Sequence, residues 1–398
     1  MNILFVTKEL PYPVNNGHRV RSSHILKGLA KEHKIHLVCF GDQHTHKDQI
    51  LAMQRFCASV TLVPENPNLA QWKKYFVAVV SLFSTLPYAV KLRSSKLMKD
   101  KVQNLLSTKN IELVIYDGIH MAWDLPSTPV RKVLSEHNVE STIIQRYYHV
   151  EPNIWKKVYA YIEWRKMRGF EQKTWKKFDW IFVCSHVDKK EVETRIGHSK
   201  VAIVANGVDI QYYSPKDIDI KEKSLIYTGL MSWRPNEDAV VYFLKEVYPL
   251  IKMEVRQVTF WVVGNNPTEA VKKFAEHDGS VAVTGYVDDV RQYVLQSEIF
   301  VVPLRIGSGT RLKILEAMAM GKPIVSTTIG CEGLEVTPGE NITIADTPAE
   351  FARRIVELLK NPQLTRNIGL AARRLVQEKY TWERITENLN QLVREISK

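Results

Sequence analysis

Short apolar runs alternate with helical segments along almost the whole chain, and this alternation limits the possible folds more than any other feature. Between the runs, segments such as Arg19–Glu32 carry apolar side chains at helical spacing. Alternating βα units predict a parallel sheet with helices on both faces, and ligands of such sheets bind at the carboxyl ends of the strands. In the first half the predicted strands are Asn2–Val6, Ile35–Phe40, Ser59–Val63, Glu112–Tyr116, Lys132–Ser135 and Trp180–Cys184.

The second half repeats the alternation and then becomes helical. A length of 398 residues is enough for two domains of ordinary size. The predicted strands are Ser224–Thr228, Val258–Val263, Ser280–Thr284, Ile299–Val302 and a strand beginning at Ile324. The segment Val201–Val204 leads into the Asn206-Gly207 turn, and after Glu340–Ala345 the chain is expected to be helical. The predicted final helices are Pro348–Leu359, Pro362–Glu378 and Trp382–Ile396.

Charge and cysteine usage narrow the class of protein. The formal net charge of +12 predicts an anionic partner, which can be nucleic acid, a phosphate-bearing ligand or a membrane surface. The four cysteines are far apart and show no metal-binding spacing, so we expect a reduced, cytoplasmic protein. The opening run MNILFV is too short for a signal peptide, and no apolar run reaches the ~20 residues that span a bilayer.

The segment Pro303–Ser326 carries the most specific chemical signal. An apolar strand precedes the segment. Within it, a glycine loop contains Gly307 and Gly309, and a helix is predicted from Arg311 to Gly321, where it ends. Free backbone N–H groups and the helix dipole at such a junction favour an anion.

Two interpretations of this segment compete. The first is an ordinary βα turn with solvated charges. The second is a nucleotide-diphosphate site, in which the loop amides, Arg311 and Lys313 hold the phosphates. In that site Glu316 would accept hydrogen bonds from the two ribose hydroxyls, since a carboxylate offers two acceptor oxygens.

The run LEAMAMGKPIVST, with the strand and PLR segment before it, resembles the donor-binding signature of the retaining GT-B glycosyltransferases of family 4. Many relatives have a glutamate eight positions before the second one, and this chain has Ser308 there. The resemblance implies transfer of a sugar from a nucleotide-diphosphate sugar with retention of anomeric configuration. It implies no cofactor and no metal.

The resemblance also implies the fold class and the domain bounds. We expect an α/β protein of GT-B type, with two facing Rossmann-like parallel-sheet domains and a C-terminal helix that crosses back to the first. Asn206-Gly207-Val208-Asp209 resembles the interdomain hinge of the family. The expected domains are 1–206 for the acceptor, 207–379 for the nucleotide sugar, and 380–398 for the returning helix.

Site residues follow from the same resemblance, position by position. His137, Lys313 and Glu316 are expected to take part in catalysis. The expected donor-binding residues are Asn16, Gly17, Arg234, Gly264, Tyr286, Val287, Ser308, Gly309, Thr310, Arg311, Lys313, Leu315 and Glu316.

Each of these residues also has a purely structural interpretation. Asn16 and Gly17 follow the first strand and can form a plain turn, and a lone histidine such as His137 is usually structural. Other polar residues near the carboxyl ends of these strands are Glu136, Asn138, Glu140, Asp117 and Ser185, the last of which we expect to cap a helix beginning near Val187.

The second domain departs from the family pattern at the expected diphosphate cations. Leu230 and Pro235 stand where relatives often have arginine and lysine, so we expect Arg234 to substitute, and Asn236 to cap a helix over Glu237–Ile251. Asp217-Ile218-Asp219 imitates a metal motif of another glycosyltransferase architecture, but in a linker it indicates solvated charge. Asp288 and Asp289 are expected to start a helix.

A basic aromatic segment, Trp155–Lys177, is a candidate surface for an anionic partner. Its eight Lys/Arg and six aromatics suit an anionic membrane interface, suit RNA less well, and are equally consistent with a solvated helix whose aromatics pack inside. A helix over Ala70–Phe83 would extend the same surface.

The sequence therefore predicts a glycosyltransferase of cell-envelope, capsule or exopolysaccharide synthesis, acting on a glycan or lipid-linked acceptor. It is expected in the cytoplasm or on the inner face of the cytoplasmic membrane, with nucleic acid an unlikely partner. A nucleotide-sugar epimerase, a sugar phosphorylase and a non-catalytic binding protein of the same fold remain as alternatives.

Overall fold

The chain forms two compact units, one comprising Met1–Ala205 with Glu383–Lys398 and the other Asn206–Trp382. The structure, a computed structural model, describes residues 1–42, 46–64, 77, 80–82, 84–197 and 200–397. The helix expected over Ala70–Phe83 lies outside the described residues, apart from positions 77 and 80–82.

The first unit contains a seven-stranded sheet in which every neighbouring pair is parallel, in the order β3-β2-β1-β4-β5-β6-β7. The strands are β1 Asn2–Thr7, β2 Lys34–Phe40, β3 Ser59–Val63, β4 Leu113–Asp117, β5 Arg131–Ser135, β6 Trp180–Val183 and β7 Val201–Ile203. The helices are α1 Gly17–Leu29, α2 Lys47–Gln54, α3 Tyr88–Lys91, α4 Lys96–Thr108, α5 Glu140–Val150, α6 Ile154–Trp175 and α7 His186–Ile196, with a 3₁₀ turn at Ile119–Met121.

The second unit contains a six-stranded parallel sheet in the order β10-β9-β8-β11-β12-β13. The strands are β8 Ser224–Thr228, β9 Thr259–Val263, β10 Val281–Gly285, β11 Ile299–Val302, β12 Ile324–Ser326 and β13 Thr343–Ile344. The helices are α8 Arg234–Tyr242, α9 Tyr248–Glu254, α10 Glu269–His277, α11 Val290–Gln296, α12 Leu312–Ala319, α13 Pro348–Lys360 and α14 Pro362–Lys379, with a π-helical turn at Phe243–Val247. The last helix of the chain is α15, Trp382–Ser397.

Both sheets reverse their strand order at one point, between β1 and β4 in the first unit and between β8 and β11 in the second. Connections leave in opposite directions there, which opens a crevice at the carboxyl edge of a doubly wound sheet. The strands themselves are almost entirely buried, as in Ile299–Val302, because helices cover both faces. The predicted fold class is confirmed.

The last helix, α15, begins in the second unit and from Glu383 onward belongs to the first. Within the first unit it packs against α1, where the Asn390 side-chain amide donates to the Gly28 carbonyl at 3.0 Å. A Cβ on Gly28 would lie 2.4 Å from the Thr386 side chain, so the close approach of the two helices requires glycine. The predicted return of the C-terminal helix is confirmed.

Some helix boundaries differ from those expected, and Asn236 is not the helix cap that the sequence predicts. Helix α8 begins at Arg234, before the expected start, so Trp233 is the N-cap residue and Asn236 is not. Its side chain hydrogen-bonds elsewhere, as described below. Arg311 precedes α12 as its N-cap residue instead of lying in its first turn. The π-helical turn interrupts the helix expected over Glu237–Ile251.

The local capping signals were otherwise correct. The Ser185 hydroxyl accepts from the Asp188 N–H at 3.1 Å and caps α7. The Asp289 carboxylate accepts from the Arg291 N–H at 2.9 Å and caps α11. Among the residues described, no helix is both long enough and apolar enough to cross a bilayer.

Candidate functional site

The carboxyl edge of the second sheet brings Lys313 to the end of β8. The Lys313 ammonium donates to the Thr228 carbonyl at 2.5 Å and to the Asn236 side-chain oxygen at 3.0 Å. It also lies 4.0 Å from the centre of the Tyr227 ring. Its acceptors are neutral oxygens, and burial lowers the pKa of Lys313 to about 7, helped by the charge of Arg311 and opposed by that of Glu316.

Asn236 fixes the position of this ammonium. Its side-chain oxygen also accepts from the Tyr227 hydroxyl at 2.7 Å, and its amide donates to the Leu230 carbonyl at 2.9 Å. A Cβ on Gly229 would lie 2.9 Å from the Lys313 nitrogen and 2.7 Å from the Asn236 amide, with φ at +155°. Glycine at this strand end is what allows the lysine to reach the backbone.

Glu316 lies one turn further along α12 and is hydrogen-bonded to the Tyr213 side chain. Burial raises the pKa of Glu316 to about 7, although the bond from Tyr213 and the charge of Lys313 act in the opposite direction. Burial also raises the pKa of the Tyr213 phenol. Tyr213 therefore holds the carboxylate from a segment that follows the hinge sequence.

The glycine loop before α12 is fastened by Arg311. The guanidinium is buried and donates to the Gly309 carbonyl at 2.7 Å and to the Ser308 carbonyl. A Cβ on Gly307 would lie 2.1 Å from this guanidinium. Thr310 is held separately, since the Asn206 side-chain amide donates to its hydroxyl at 2.8 Å.

The carboxyl edge of the first sheet carries a buried carboxylate at its switch point. Asp117 ends β4, in register with Thr7 of β1 and Ser135 of β5. Its oxygens accept from the Thr7 hydroxyl at 2.9 Å and the Ser22 hydroxyl at 2.5 Å. They also lie 2.6 Å from Nε2 of His137.

Two histidines surround this carboxylate. The rings of His18 and His137 stack with centroids 4.5 Å apart, and Nε2 of His18 lies 3.5 Å from Asp117. Burial raises the pKa of Asp117, but the charge of His137 and the hydrogen bond from it outweigh burial, so the net pKa is low. Burial, with the charge of His137, lowers the pKa of His18 well below its usual value. Asp117 therefore stays ionised while His18 is neutral at pH 7.

Within the described part of the chain, His18, Asp117 and His137 are the group whose ligand atoms, all within 4.8 Å of one another, are close enough to hold a metal ion. Both Asp117 oxygens already have hydrogen-bond partners, since one accepts from the Thr7 and Ser22 hydroxyls and the other lies 2.6 Å from Nε2 of His137. The geometry is that of a hydrogen-bonded cluster.

Comparison with known proteins places the chain in a family. The family described as Glycosyltransferase Family 4 matches residues 15–212, and the one described as Glycosyl transferases group 1 matches residues 222–361. The chain belongs to this glycosyltransferase family.

Similar proteins agree with that assignment. An uncharacterized 44.6 kDa protein in the cps region of Klebsiella pneumoniae is 23% identical over 97% of this chain and 98% of its own. The Escherichia coli UDP-Gal:alpha-D-GlcNAc-diphosphoundecaprenol alpha-1,3-galactosyltransferase is 22% identical over 37% of this chain and 42% of its own.

Solved structures share the fold. Sucrose-phosphate synthase from Thermosynechococcus elongatus superimposes with a TM-score of 0.71 at 15% identity, covering 100% of this chain and 99% of its own. The Anabaena protein HepE in complex with UDP-glucose gives a TM-score of 0.68 at 15% identity, covering 99% and 100%.

The remaining residues that the sequence predicts to bind the donor differ in their surroundings. Arg234 is exposed and pairs with Glu237 at 2.9 Å, and the Tyr286 side chain is 70% exposed after the end of β10, beside the partly buried Val287. The Leu315 side chain is in the core. Gly264 packs against the backbone of Gly229.

In the first unit of this glycosyltransferase, Asn16 caps α1 by accepting from the Arg19 N–H at 2.9 Å, and Gly17 is the first residue of that helix. Both carboxylate oxygens of Glu136 accept structural hydrogen bonds, one from Trp175 Nε1 at 2.7 Å and one from the Ile119 N–H at 3.2 Å. The donor roles of Asn16 and Gly17 stay predictions.

Sequence reasoning missed His18, Ser22 and Tyr213, and gave Asn236 a different role. His18 could have been noticed, because it follows the Asn-Gly turn at the end of the first strand. Tyr213 stands 103 positions before Glu316 and carries no local signal that connects the two.

Proposed function

We propose that this glycosyltransferase transfers a sugar from a nucleotide-diphosphate sugar to a glycan or lipid-linked acceptor, with retention of anomeric configuration and without a metal ion. The observation that carries the proposal is the pair formed by Lys313 and Glu316 on one helix directly after the glycine loop. One side chain offers a positive charge and the other offers two acceptor oxygens.

Lys313 is the group we assign to the donor diphosphate. Its hydrogen bonds go to neutral oxygens, so its charge is costly where it lies, as the lowered pKa indicates. A diphosphate would supply the missing anion and would restore the proton of the ammonium. As the sugar leaves, negative charge grows on that phosphate, and a fixed cation stabilises it.

Glu316 is the group we assign to the ribose hydroxyls, with Tyr213 as the residue that orients it. Arg311 contributes by holding the glycine loop, so that loop amides are available to the phosphates. Because Lys313 and the loop amides stabilise the leaving group in this scheme, the proposal includes no metal. His137, held by Asp117, is assigned to the transferred sugar as a polar group.

Retention follows from the family resemblance. The departing phosphate would take the proton of the acceptor hydroxyl on the same face of the sugar, so no protein nucleophile or base is assigned. The acceptor is proposed from the similar proteins, one from a cps region and one named for a diphosphoundecaprenol substrate. An envelope or capsule glycan, lipid-linked during assembly, fits both.

Association with the inner face of the cytoplasmic membrane is part of the proposal. On α6 the residues Ile154, Val158 and Tyr161 are exposed on one stripe, and Arg165 and Arg168 continue that stripe. Apolar side chains followed by cations on one helix face suit an anionic bilayer surface. Other aromatics of the segment pack inside, notably Trp175, which is fully buried.

Thermal unfolding with nucleotides tests the donor assignment. UDP, GDP, ADP, CMP and dTDP are added separately to the wild type, to Glu316→Ala and to a control, Glu269→Ala, whose side chain is exposed on α10. One nucleotide at ~100 times its dissociation constant should add roughly 2.7 kcal/mol to the wild type and the control. Glu316→Ala should lose most of that gain.

The alternatives give different results in the same series. No shift with any nucleotide would contradict the donor site and favour a phosphorylase, which needs inorganic phosphate instead. An epimerase would bind nucleotide but form no glycosidic bond, and a binding protein would show no turnover. Product analysis by NMR in the presence of EDTA then checks retention and metal independence together.

A further inference from the structure

Two cations at the carboxyl edge of the first sheet, Lys8 and Arg93, have no role in the proposed transfer. Lys8 directly follows β1, next to the switch point. Arg93 lies just after α3, which packs against the 3₁₀ turn Ile119–Met121 that follows β4. Both side chains are partly buried.

Neither cation has an anion in hydrogen-bonding contact within the described part of the chain. The carboxylate nearest to Lys8 is Glu9, at 3.8 Å, and Glu9 already pairs with Arg19 at 2.6 Å. Arg93 donates to the Ala89 carbonyl at 3.4 Å and forms no ion pair with any described residue.

The other acids of this edge, Asp117 and Glu140, lie near the two cations but form no salt bridge or hydrogen bond with them among the described residues. Asp117 is bonded to two hydroxyls and to His137. Glu140 lies 3.9 Å from Nε2 of His120 and 3.5 Å from the Asn138 amide. The positive charge of Lys8 and Arg93 is therefore not cancelled by a direct partner.

Electrostatics of the neighbouring groups agree with this geometry. Burial lowers the pKa of Lys8, the charge of Arg93 reinforces this, and the carboxylates of Glu9, Glu140 and Asp117 oppose it. Burial, together with the charges of Arg93 and Lys8, lowers the pKa of His120 to about 3. His120 is therefore neutral at pH 7 and can donate one N–H without adding charge.

We propose that Lys8 and Arg93 bind a phosphate group of the acceptor substrate, with His120 beside them. The inference rests on the proposed function only in assigning the phosphate to an acceptor. A phosphate carries up to two charges and three acceptor oxygens, which match an ammonium and the two-pronged guanidinium better than a single carboxylate does. A sugar phosphate and a polyprenyl phosphate share this chemistry.

Calorimetric titration of the full chain tests the site, both without nucleotide and with a saturating concentration of the nucleotide that gives the largest shift in the unfolding series. The probes are glucose 1-phosphate and a short polyprenyl phosphate in detergent, and the comparison ligands are glucose, the polyprenol and glucuronate. We expect at least one phosphorylated probe to bind, and the unphosphorylated ligands and glucuronate to bind at least tenfold more weakly. Which probe binds identifies a soluble or a lipid-linked acceptor, and either supports the site.

Variants then assign the contact. Lys8→Ala and Arg93→Ala should each weaken the phosphorylated probe about tenfold or more, as expected for loss of a charge-assisted bond. Arg93→Lys keeps the charge and should weaken it less than Arg93→Ala. The matched control is Arg131→Ala, which removes an exposed cation at the amino end of β5, in the same unit but at the opposite edge of the sheet.

Three results would overturn the inference. They are no binding of any phosphorylated probe, unchanged binding in both alanine variants, and glucuronate binding as tight as phosphate. If the alanine variants weaken the nucleotide instead of the probe, the cations serve the donor and the acceptor assignment is wrong. The nucleotide shift and its dependence on Glu316, measured on the same samples, show separately whether the proposed function stands.

Discussion

Gly264 shows how a single atom sets the shape of the carboxyl edge of the second sheet. A Cβ at this position would lie 1.8 Å from the Gly229 carbonyl oxygen, and the φ angle of +150° disfavours other residues. The two glycines directly follow the neighbouring strands β8 and β9. Their contact therefore holds the two strand ends together beside Lys313.

Replacing Gly264 by alanine should therefore destabilise the second unit. The cost should be about 2–4 kcal/mol, because the clash is with backbone and cannot be relieved by a rotamer change. Thermal unfolding followed by circular dichroism measures it. Gly279→Ala is the matched control, since nothing lies within 4 Å of a Cβ there, and it should change stability little. Equal midpoints for the two variants would contradict the packing argument.

Glu316 predicts a defined pH dependence of stability. Its pKa is about 7 in the folded chain against 4.5 for the ordinary group, so folding favours the protonated form. Its contribution is therefore fully present below pH 4.5 and is lost as the pH rises through 7. Relative to Glu316→Gln, the wild type should lose stability by about 1–3 kcal/mol over that window.

Chemical unfolding at several values between pH 4.5 and 8 measures this difference. Glu269→Gln, at an exposed position on α10, is the control and should follow the wild type throughout. A difference between the wild type and Glu316→Gln that stays constant with pH would mean that burial does not raise the pKa of this carboxyl group.

At the scale of elements, α6 has a buried face and an exposed face that a sequence pattern cannot separate. Trp175 donates to Glu136 from the buried face, and Glu171 on the same face accepts from the Ser141 N–H at 2.9 Å. The exposed stripe begins at Ile154, and Trp155 beside it is 80% exposed. One face of the helix therefore supports the first sheet, while the other face is exposed to solvent.

Liposome flotation tests that exposed stripe. Vesicles of neutral lipid and vesicles containing anionic lipid are compared for the wild type, Trp155→Ala and the double variant Arg165→Glu/Arg168→Glu. Each cation near an anionic surface contributes ~1 kcal/mol, so reversing two should weaken binding more than tenfold. Met253→Ala, at an exposed apolar position on α9, should bind as the wild type does. Wild-type binding to neither vesicle would indicate a merely solvated face.

Element prediction succeeded where the deciding forces are local. Ser185 and Asp289 were assigned as helix starts because a short polar side chain can reach the next backbone N–H groups. The same rule gave a wrong prediction for Asn236, because its side-chain oxygen accepts from the Tyr227 hydroxyl and the Lys313 ammonium instead of from a backbone N–H. Tyr227 is nine residues before Asn236, but Lys313 is 77 residues beyond it and comes close only in the folded sheet.

At the scale of the whole molecule, the two sheets share one strand order around a switch point, and each places its polar residues at the carboxyl edge. In the first unit this edge holds Asp117, its two histidines and the cations Lys8 and Arg93. In the second it holds Lys313, Asn236 and Glu316.

The sequence by itself determined the alternation of strands and helices, the family, and the candidates Lys313 and Glu316, because periodicity and short motifs are local properties. Only the tertiary structure decided the partners of those residues. Tyr213 for Glu316, Ser22 and His18 for Asp117, and the packing of Gly264 on Gly229 all join segments that are separate in the chain. Parallel strands make this necessary, since neighbouring strand ends in such a sheet are always separated by a crossover connection.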